Sequence, residues 1–458
     1  MILNKVKSYL KTVNGVSHTT LNPSAPGSIR IHLVPPKKPK IGIPWVIIIN
    51  GQDIIPLSCS WAILLREFIK EVNKYEGKAL TDEAIGDVID AAIFDCTYVF
   101  TKTKSTTLRS DLSDLITTLV EIAEGKTPTY SIGYMRLKEY GKYMSAPHRM
   151  DLMISSMYKN NHWHCNQKCL HCYAGNQEYA IKEELTTDQW KEIIDKCKEA
   201  LIPQITFTGG EPTLRDDLVE LINYSQWFVT RLNTNGVLLT KELCDKLYQA
   251  SLDNVQITLY SNNDKIHNLL VGANNFEKTI EGIKNAINSN LSVSVNTPLC
   301  SINKNYLELV KYLHQELNVK YFTCSGLIVT GNAINDNSQE TQLSKEELTN
   351  VLQEVNEYIK ENDLYLSFTS PGWIDEDTLE RFDLTIPSCG ACLSNMAVAP
   401  NGDVVPCQSW LSEESLGNLL NDSWNKIWIS KKCKAIRKQS MNLDNVCPLN
   451  NKNKKGDK

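Results

Sequence analysis

The residues best suited to chemistry are three cysteines in one short stretch, NNHWHCNQKCLHCYAG, where Cys165, Cys169 and Cys172 follow a C-x-x-x-C-x-x-C spacing. Thiolates are the ligands of soft metals and of iron–sulfur clusters. A four-iron, four-sulfur (4Fe-4S) cluster takes four of them, so a loop offering three leaves one iron open to an outside ligand. An open coordination position marks a site for reaction rather than a structural knot. The same cysteines could instead hold zinc, with His162, His164 or His171 as a fourth ligand. Further on, ITFTGGEPTLR runs a short apolar strand, Ile205 to Thr208, into Gly209, Gly210, Glu211 and Pro212. Paired glycines at a strand end let a ligand approach bare backbone, and the carboxylate beside them suits an ammonium group. A zinc knot uses neither.

Taken together, in this order and each at a strand end, the two stretches resemble the radical S-adenosylmethionine (SAM) enzymes. The resemblance implies that Cys165, Cys169 and Cys172 bind a 4Fe-4S cluster together with SAM, and that Gly209, Gly210, Glu211 and Pro212 hold the methionine end of SAM. A reductant such as flavodoxin or ferredoxin would then feed an electron that cleaves SAM to methionine and a 5′-deoxyadenosyl radical. Asn233, Thr234, Asn235 and Gly236 follow another strand end. Asn-Gly is common in plain turns, whereas the resemblance makes Asn233 and Asn235 candidates for ribose or carboxylate contacts and sets Thr258 and Tyr260 near the cofactor. The stretch HNLLVGANNF is similar to the family's H-D-x-x-T/R-G-x-x-x-F pattern but departs from it at Asn268 and Val271. No catalytic residue beyond the cofactor ligands is expected.

A second group of thiols lies near the C-terminus. Cys389 and Cys392 form a C-x-x-C pair, and a hairpin over Pro400, Asn401 and Gly402 would bring Cys407 back toward them. The spacing C-x9-G-x4-C, from Cys392 through Gly402 to Cys407, resembles the opening of SPASM and twitch domains, and LGNLLNDSWNKIW fits the segment that follows in that family. The resemblance implies an auxiliary 4Fe-4S cluster on Cys389, Cys392, Cys407 and Cys447. One such cluster is expected, because only Asn, Lys, Gly and Asp follow the Cys447-Pro-Leu step. Four thiolates would satisfy tetrahedral zinc as well. Of the remaining cysteines among 14, Cys59, Cys96, Cys197, Cys244, Cys300 and Cys324 read as lone packing residues, and Cys433 in KKCKAIRK is left out of the ligand set.

The elements that must position these groups alternate strand and helix. LMISSM, ITFT, FVTRL, VQITLY, VSVN and KYFTC alternate with amphipathic helical stretches, which predicts a parallel sheet with helices outside it. The fold class is α/β: a partial (β/α)6 barrel over 146–335, with a small C-terminal iron–sulfur domain over 336–458. Both chemical motifs fall beyond strand C-termini, where barrel enzymes collect their loops. Ser344 and Glu347 form a capping box opening a helix into the last domain.

Residues 1–145 predict a winged-helix-like α+β domain. After an irregular arm of 28 residues come IRIHL and a hairpin around Asn50-Gly51, whose Ile47 to Ile49 run would offer an open edge. Three helices follow, the first from Ser60 with Trp61, Leu64 and Leu65, the second capped by Thr81. Upstream of a radical SAM core this order resembles the RiPP recognition element, which binds a precursor peptide's leader as an added strand. A winged helix could also bind DNA, but no helix here clusters Arg and Lys, and the net charge of −5 gives no pull toward nucleic acid. No membrane partner is expected, since the sequence carries no membrane-spanning apolar run and no signal-peptide pattern at MILNKVKSYL, so a cytoplasmic location follows. The expected substrate is a ribosomally made peptide that is cross-linked or oxidised. A sulfatase residue, a haem-type macrocycle, a small metabolite, or a non-enzymatic zinc role stand as alternatives.

Overall fold

The computed structural model describes residues 2–21, 29–50, 53–75, 81–123, 128–130, 137–334, 341–412, 414–443 and 446–449. It divides into two compact units, Met1–Ala146 and Pro147–Lys458.

The first unit is built on a four-stranded antiparallel sheet of β1 (Ser17–Leu21), β2 (Ile29–Val34), β3 (Trp45–Ile49) and β4 (Asp53–Leu57), in that spatial order. The expected arm is corrected here: a helix, Ile2–Leu10, and strand β1 occupy much of it. An amphipathic stripe explains the helix, since Val6 and Leu10 bury on the unit's core. The hairpin forms, with Asn50 at φ 49°; its Gly51 lies outside the described residues. The expected open edge at Ile47–Ile49 is corrected too. β3 pairs with β2 on one side and β4 on the other, so the sheet's edges are β1 and β4. All five β3 residues are buried, which accounts for an unbroken apolar run rather than an alternating one. The three helices are Cys59–Val72, capped by Ser58, Asp82–Val99, capped by Thr81, and Ser105–Ala123. Trp45, Leu64, Leu65, Phe68, Leu112 and Leu115 join sheet and helices in one core.

The second unit carries a nine-stranded sheet. All six expected strands are present: β5 (Arg149–Ser155), β8 (Gln204–Gly209), β9 (Val229–Thr234), β10 (Asn254–Thr258), β11 (Val293–Pro298) and β12 (Tyr321–Ser325). A short ribbon of β6 (Tyr158–Lys159) and β7 (His162–Trp163) precedes the cysteine loop. The C-terminal stretch adds β13 (Tyr365–Phe368) beside β12, and β14 (Asn395–Val398) with β15 (Val404–Val405) beside β5. Within the nine-stranded sheet every pairing is parallel except β14 with β15. One face is apolar and sealed: Met150, Leu152, Ile205, Phe207, Leu232, Val255, Ile257 and Val295 are all fully buried. The other, inner face is polar, with Arg231, Asn233, Gln256 and Asn296 only half-buried. Side chains alternate across a strand, so a half-open barrel writes this two-sided pattern into each strand.

Candidate active site and metal centres

The cysteine loop is fastened from several sides. Lys168 N–H and Leu170 N–H donate to Val271 O (2.9 Å) and Leu270 O (2.8 Å), at the end of the helix Asp264–Val271. Gly272 follows at φ +63°, and a Cβ there would meet Lys168 O at 2.4 Å, so glycine is required for the loop to lie this close. On the far side Asn332 donates through its backbone N–H to Cys172 O (2.9 Å) and through its side chain to Cys169 O (3.1 Å). Trp163 Nε1–H closes the loop onto Gln167 O at 2.8 Å. Gly331, where a Cβ would meet Cys172 O at 2.4 Å, and Asn332 are parts of the site that the sequence did not single out.

The three thiols sit close enough to oppose one another's ionisation. Burial is the main cause that pushes Cys165 up to about 12 and Cys169 far above the usual thiol range, with charge on the neighbouring cysteines adding to both. Burial raises Cys172 as well. Buried thiols that repel as thiolates need a cation to hold them, which is what a metal cluster supplies. The donor set and the backbone cradle fit a cluster on this loop. Among the described residues no group of three or more His, Cys, Asp or Glu is gathered to hold a single metal ion. The histidines that could have completed a zinc site are engaged elsewhere: His162 faces Asn160 O, His164 lies beside Glu184, and His171 bonds Thr341.

Gly209–Pro212 serve the scaffold first. Cβ atoms on Gly209 and Gly210 would strike the backbone of Ser155 and Ser156 at 2.2 and 2.9 Å, so the glycines let β8 close against β5. Glu211 is buried and caps the turn at Pro212. One carboxylate oxygen accepts from Thr213 N–H (3.0 Å), Thr213 Oγ1–H (2.5 Å) and Thr234 Oγ1–H (2.7 Å); the other accepts from Asn235 N–H (2.8 Å). Burial nonetheless raises its pKa against these four bonds. Asn235 carries the tie onward, its side-chain amide donating to Asn166 Oδ1 at 2.6 Å beside Cys165. A chain of hydrogen bonds thus joins the ends of β8 and β9 to the cysteine loop. Asn233 and Thr258 lie on the half-open inner face. Tyr260 is buried with Leu270, Val271 and Cys300, against which Cys169 packs, and burial together with charge on Cys169 and Cys172 holds its hydroxyl well above the usual phenol range.

The second thiol group is also drawn together. Charge on Cys389 and Cys447 adds to burial in raising Cys407, and Cys392 feels Cys407 in turn. The surprise is Cys433. It bonds side chain to side chain with Cys392, which is the main cause of the raised Cys392 thiol. Cys433, Arg437 and Ser440 share one face of the helix Lys431–Asn442. Arg437 lies over the Trp428 ring, 3.5 Å from its centroid, and points Nη2 at Cys433 Sγ (3.8 Å); Ser440 reaches Ala391 O (2.8 Å) and Cys389 Sγ (3.6 Å). The i, i+4, i+7 spacing of these three residues was the signal available in the sequence.

Comparison with known proteins agrees with this geometry. The model of the radical SAM superfamily matches residues 164–314, and that of the SPASM iron-sulfur cluster-binding domain matches residues 389–449. An AdoMet-dependent heme synthase of Methanosarcina barkeri is 27% identical over 58% of this chain and 79% of its own length. The PqqA peptide cyclase of Bradyrhizobium diazoefficiens is 27% identical over 54% of this chain and 64% of its own. Two further curated relatives, 33% and 35% identical, are matched over only 40% and 33% of their lengths. Among solved structures, Streptococcus suis SuiB bound to precursor peptide SuiA superposes with a TM-score of 0.60 at 15% identity, covering 89% of this chain and 93% of that one. The polypeptide therefore joins a radical SAM domain, which binds a 4Fe-4S cluster with SAM, to a C-terminal SPASM domain that carries an auxiliary iron–sulfur cluster.

Proposed function

We propose that this enzyme uses a SAM-derived radical to cross-link or oxidise a ribosomally synthesised peptide, whose leader docks on the N-terminal unit. When bound, the cluster and SAM supply the 5′-deoxyadenosyl radical; Cys165, Cys169 and Cys172 hold that cluster, and Cys389, Cys392, Cys407 and Cys447 hold the auxiliary one. Glu211, Asn233, Asn235, Thr258 and Tyr260 line the SAM position. The observation carrying the peptide reading is the first unit: an antiparallel sheet with two edges, placed before the radical SAM and SPASM domains. The fold-level likeness to SuiB supports it.

Of the two edges β1 is the better dock. Pro56 removes a donor from β4. On β1, Thr20 faces Arg30, whose carbonyl accepts from Asn50 N–H on the β3 side. Thr20 therefore belongs to a non-bonded pair and turns its N–H away from the sheet, where an added strand can accept it. The test is leader affinity with a precursor peptide encoded beside this gene. Thr20→Pro should weaken it about tenfold relative to Thr20→Ala, the worth of one main-chain bond plus local strain, with cluster content and 5′-deoxyadenosine formation retained. Equal affinity in both variants refutes leader docking at β1. A haem-type macrocycle is the second reading, favoured by the long match to the heme synthase; turnover of a porphyrin but of no peptide would establish it.

A further inference from the structure

The inner face of the barrel holds a polar cluster that neither the cysteines nor the SAM motifs use. Arg149, Asp151, Gln204, Thr206, Arg231 and Asn254 are cross-strand neighbours on one face: Arg149 pairs with Gln204, Asp151 with Thr206, Thr206 with Arg231, and Arg231 with Asn254. Directly paired side chains stand about 5 Å apart, so the six form one continuous patch. Its charges do not balance. Asp151, 1% exposed, is matched to Arg149, with Nε at 2.9 Å from one oxygen and Nη2 at 3.3 Å from the other. Among the described residues Arg231 is left with a single long bond, Nη2 to Asn254 Oδ1 at 3.4 Å.

Four donors of this patch make no hydrogen bond among the described residues, Arg149 Nε, Arg231 Nε, Gln204 Nε2 and Thr206 Oγ1, and of these only Arg149 Nε lies against a carboxylate, that of Asp151. Gln204 and Thr206 are 4% and 2% exposed, so they are deeply buried groups aimed into the inner face. Burying an unpaired donor costs free energy unless something accepts from it. Burial is the main cause that lowers Arg231 to about 10, with the Arg149 charge adding to it and the Asp151 carboxylate opposing it only in part.

We propose that Arg231, with Thr206 and Gln204, binds a carboxylate of the substrate, fixing it inside the barrel beneath the SAM position. A guanidinium with a hydroxyl and an amide N–H makes a planar, multi-donor seat of the kind a carboxylate fills and a neutral amide does not. The depth suits substrate rather than SAM. At about 3.3 Å per residue, Arg231 lies about 10 Å below the end of β9 at Thr234. The inference rests on the proposed radical SAM activity: for a peptide substrate the group is an Asp or Glu side chain, and for a macrocycle it is a propionate. The chemistry is shared, and the probes separate the sources.

The experiment uses the full-length, anaerobically reconstituted protein with SAM present. Calorimetric titrations compare N-acetyl-glutamate amide with N-acetyl-glutamine amide, and a porphyrin tetracarboxylate with its tetramethyl ester. One acid should bind at least about tenfold more tightly than its neutral partner, the usual margin for a charge-assisted bond. Arg231→Gln should abolish that margin, Arg231→Lys should restore part of it, and Thr206→Val should reduce it without changing any charge. SAM affinity should be the same in all four proteins. The inference is overturned if no acid is preferred by the wild type, if the margin survives Arg231→Gln, or if that variant weakens SAM instead, which would assign the carboxylate to SAM. Wild-type protein that forms no 5′-deoxyadenosine would count against the functional reading itself, independently of the pocket.

Discussion

Glu211→Gln tests whether the GGEP carboxylate acts mainly as a tie between strand ends. Glutamine can keep its oxygen where Thr213 N–H, Thr213 Oγ1–H and Thr234 Oγ1–H converge, but its NH2 group then faces Asn235 N–H, donor against donor. The lost bond to a charged acceptor is worth ~1.5–3 kcal/mol, and the unpaired Asn235 N–H costs about 1–3 more. Relief of a buried charge offsets part of this, since burial already works against the carboxylate. A net destabilisation of about 2 kcal/mol remains. Asn235 is the next link, and its contact with Asn166 leads into the cysteine loop, so SAM affinity should fall along with stability. Urea unfolding gives the first quantity and SAM titration of reconstituted protein gives the second. Weakened SAM binding with an unchanged unfolding midpoint would refute the tie and assign Glu211 to direct contact with the SAM amino group. No change in either would remove Glu211 from the site.

Cys433→Ala should leave the iron content of the SPASM domain intact while lowering the auxiliary cluster's reduction potential by about 40 mV, the equivalent of ~1 kcal/mol for a lost hydrogen bond to a ligand sulfur; loss of iron would instead make Cys433 a ligand. His267 is fully buried, its Nδ1 accepts from Tyr260 N–H at 3.3 Å, and burial lowers its pKa to about 4. The unfolded chain therefore takes up the proton first, and stability should be lost at about 1.4 kcal/mol per pH unit as pH falls from about 6.5 toward 4. His267→Phe should flatten that slope by one proton in urea unfolding measured across this range, and an unchanged slope would show that His267 is not the titrating group.

The candidate metal ligands stand out in the sequence because their chemistry is written in residue type and close spacing. Cys165, Cys169 and Cys172 need only a loop, and the strand before Gly209 needs only four β-formers. Six parallel strands were legible for a related reason: a sheet covered on its outer face forces Ile, Val, Leu and Phe into alternate positions. Where the reading failed, the missing information was tertiary. β3 looked like an edge because WVIII says that a strand is buried, not which neighbours bury it. The first helix has a stripe that spans only Ile2–Leu10, too short to stand apart from a polar arm.

The glycines show that one motif can carry a scaffold role that its residue types alone do not announce. The pair at Gly209 and Gly210 suggests a ligand against bare backbone, and the residues do permit close approach, but the nearest partner is the chain itself at Ser155 and Ser156. Gly272 makes the complementary case. The stretch HNLLVGANNF resembles a family pattern without showing what its glycine does, and the left-handed turn there is what lets Lys168, 104 positions away in sequence, lie in contact in space. Arg231 follows the same logic. In VTRLNT it is one polar residue in an alternating strand, and its meaning appears only when β8 and β5 set Thr206 and Asp151 beside it and Asp151 proves already matched to Arg149. Charge balance across strands is a property of register, so a site built on it becomes visible only once the strands are paired.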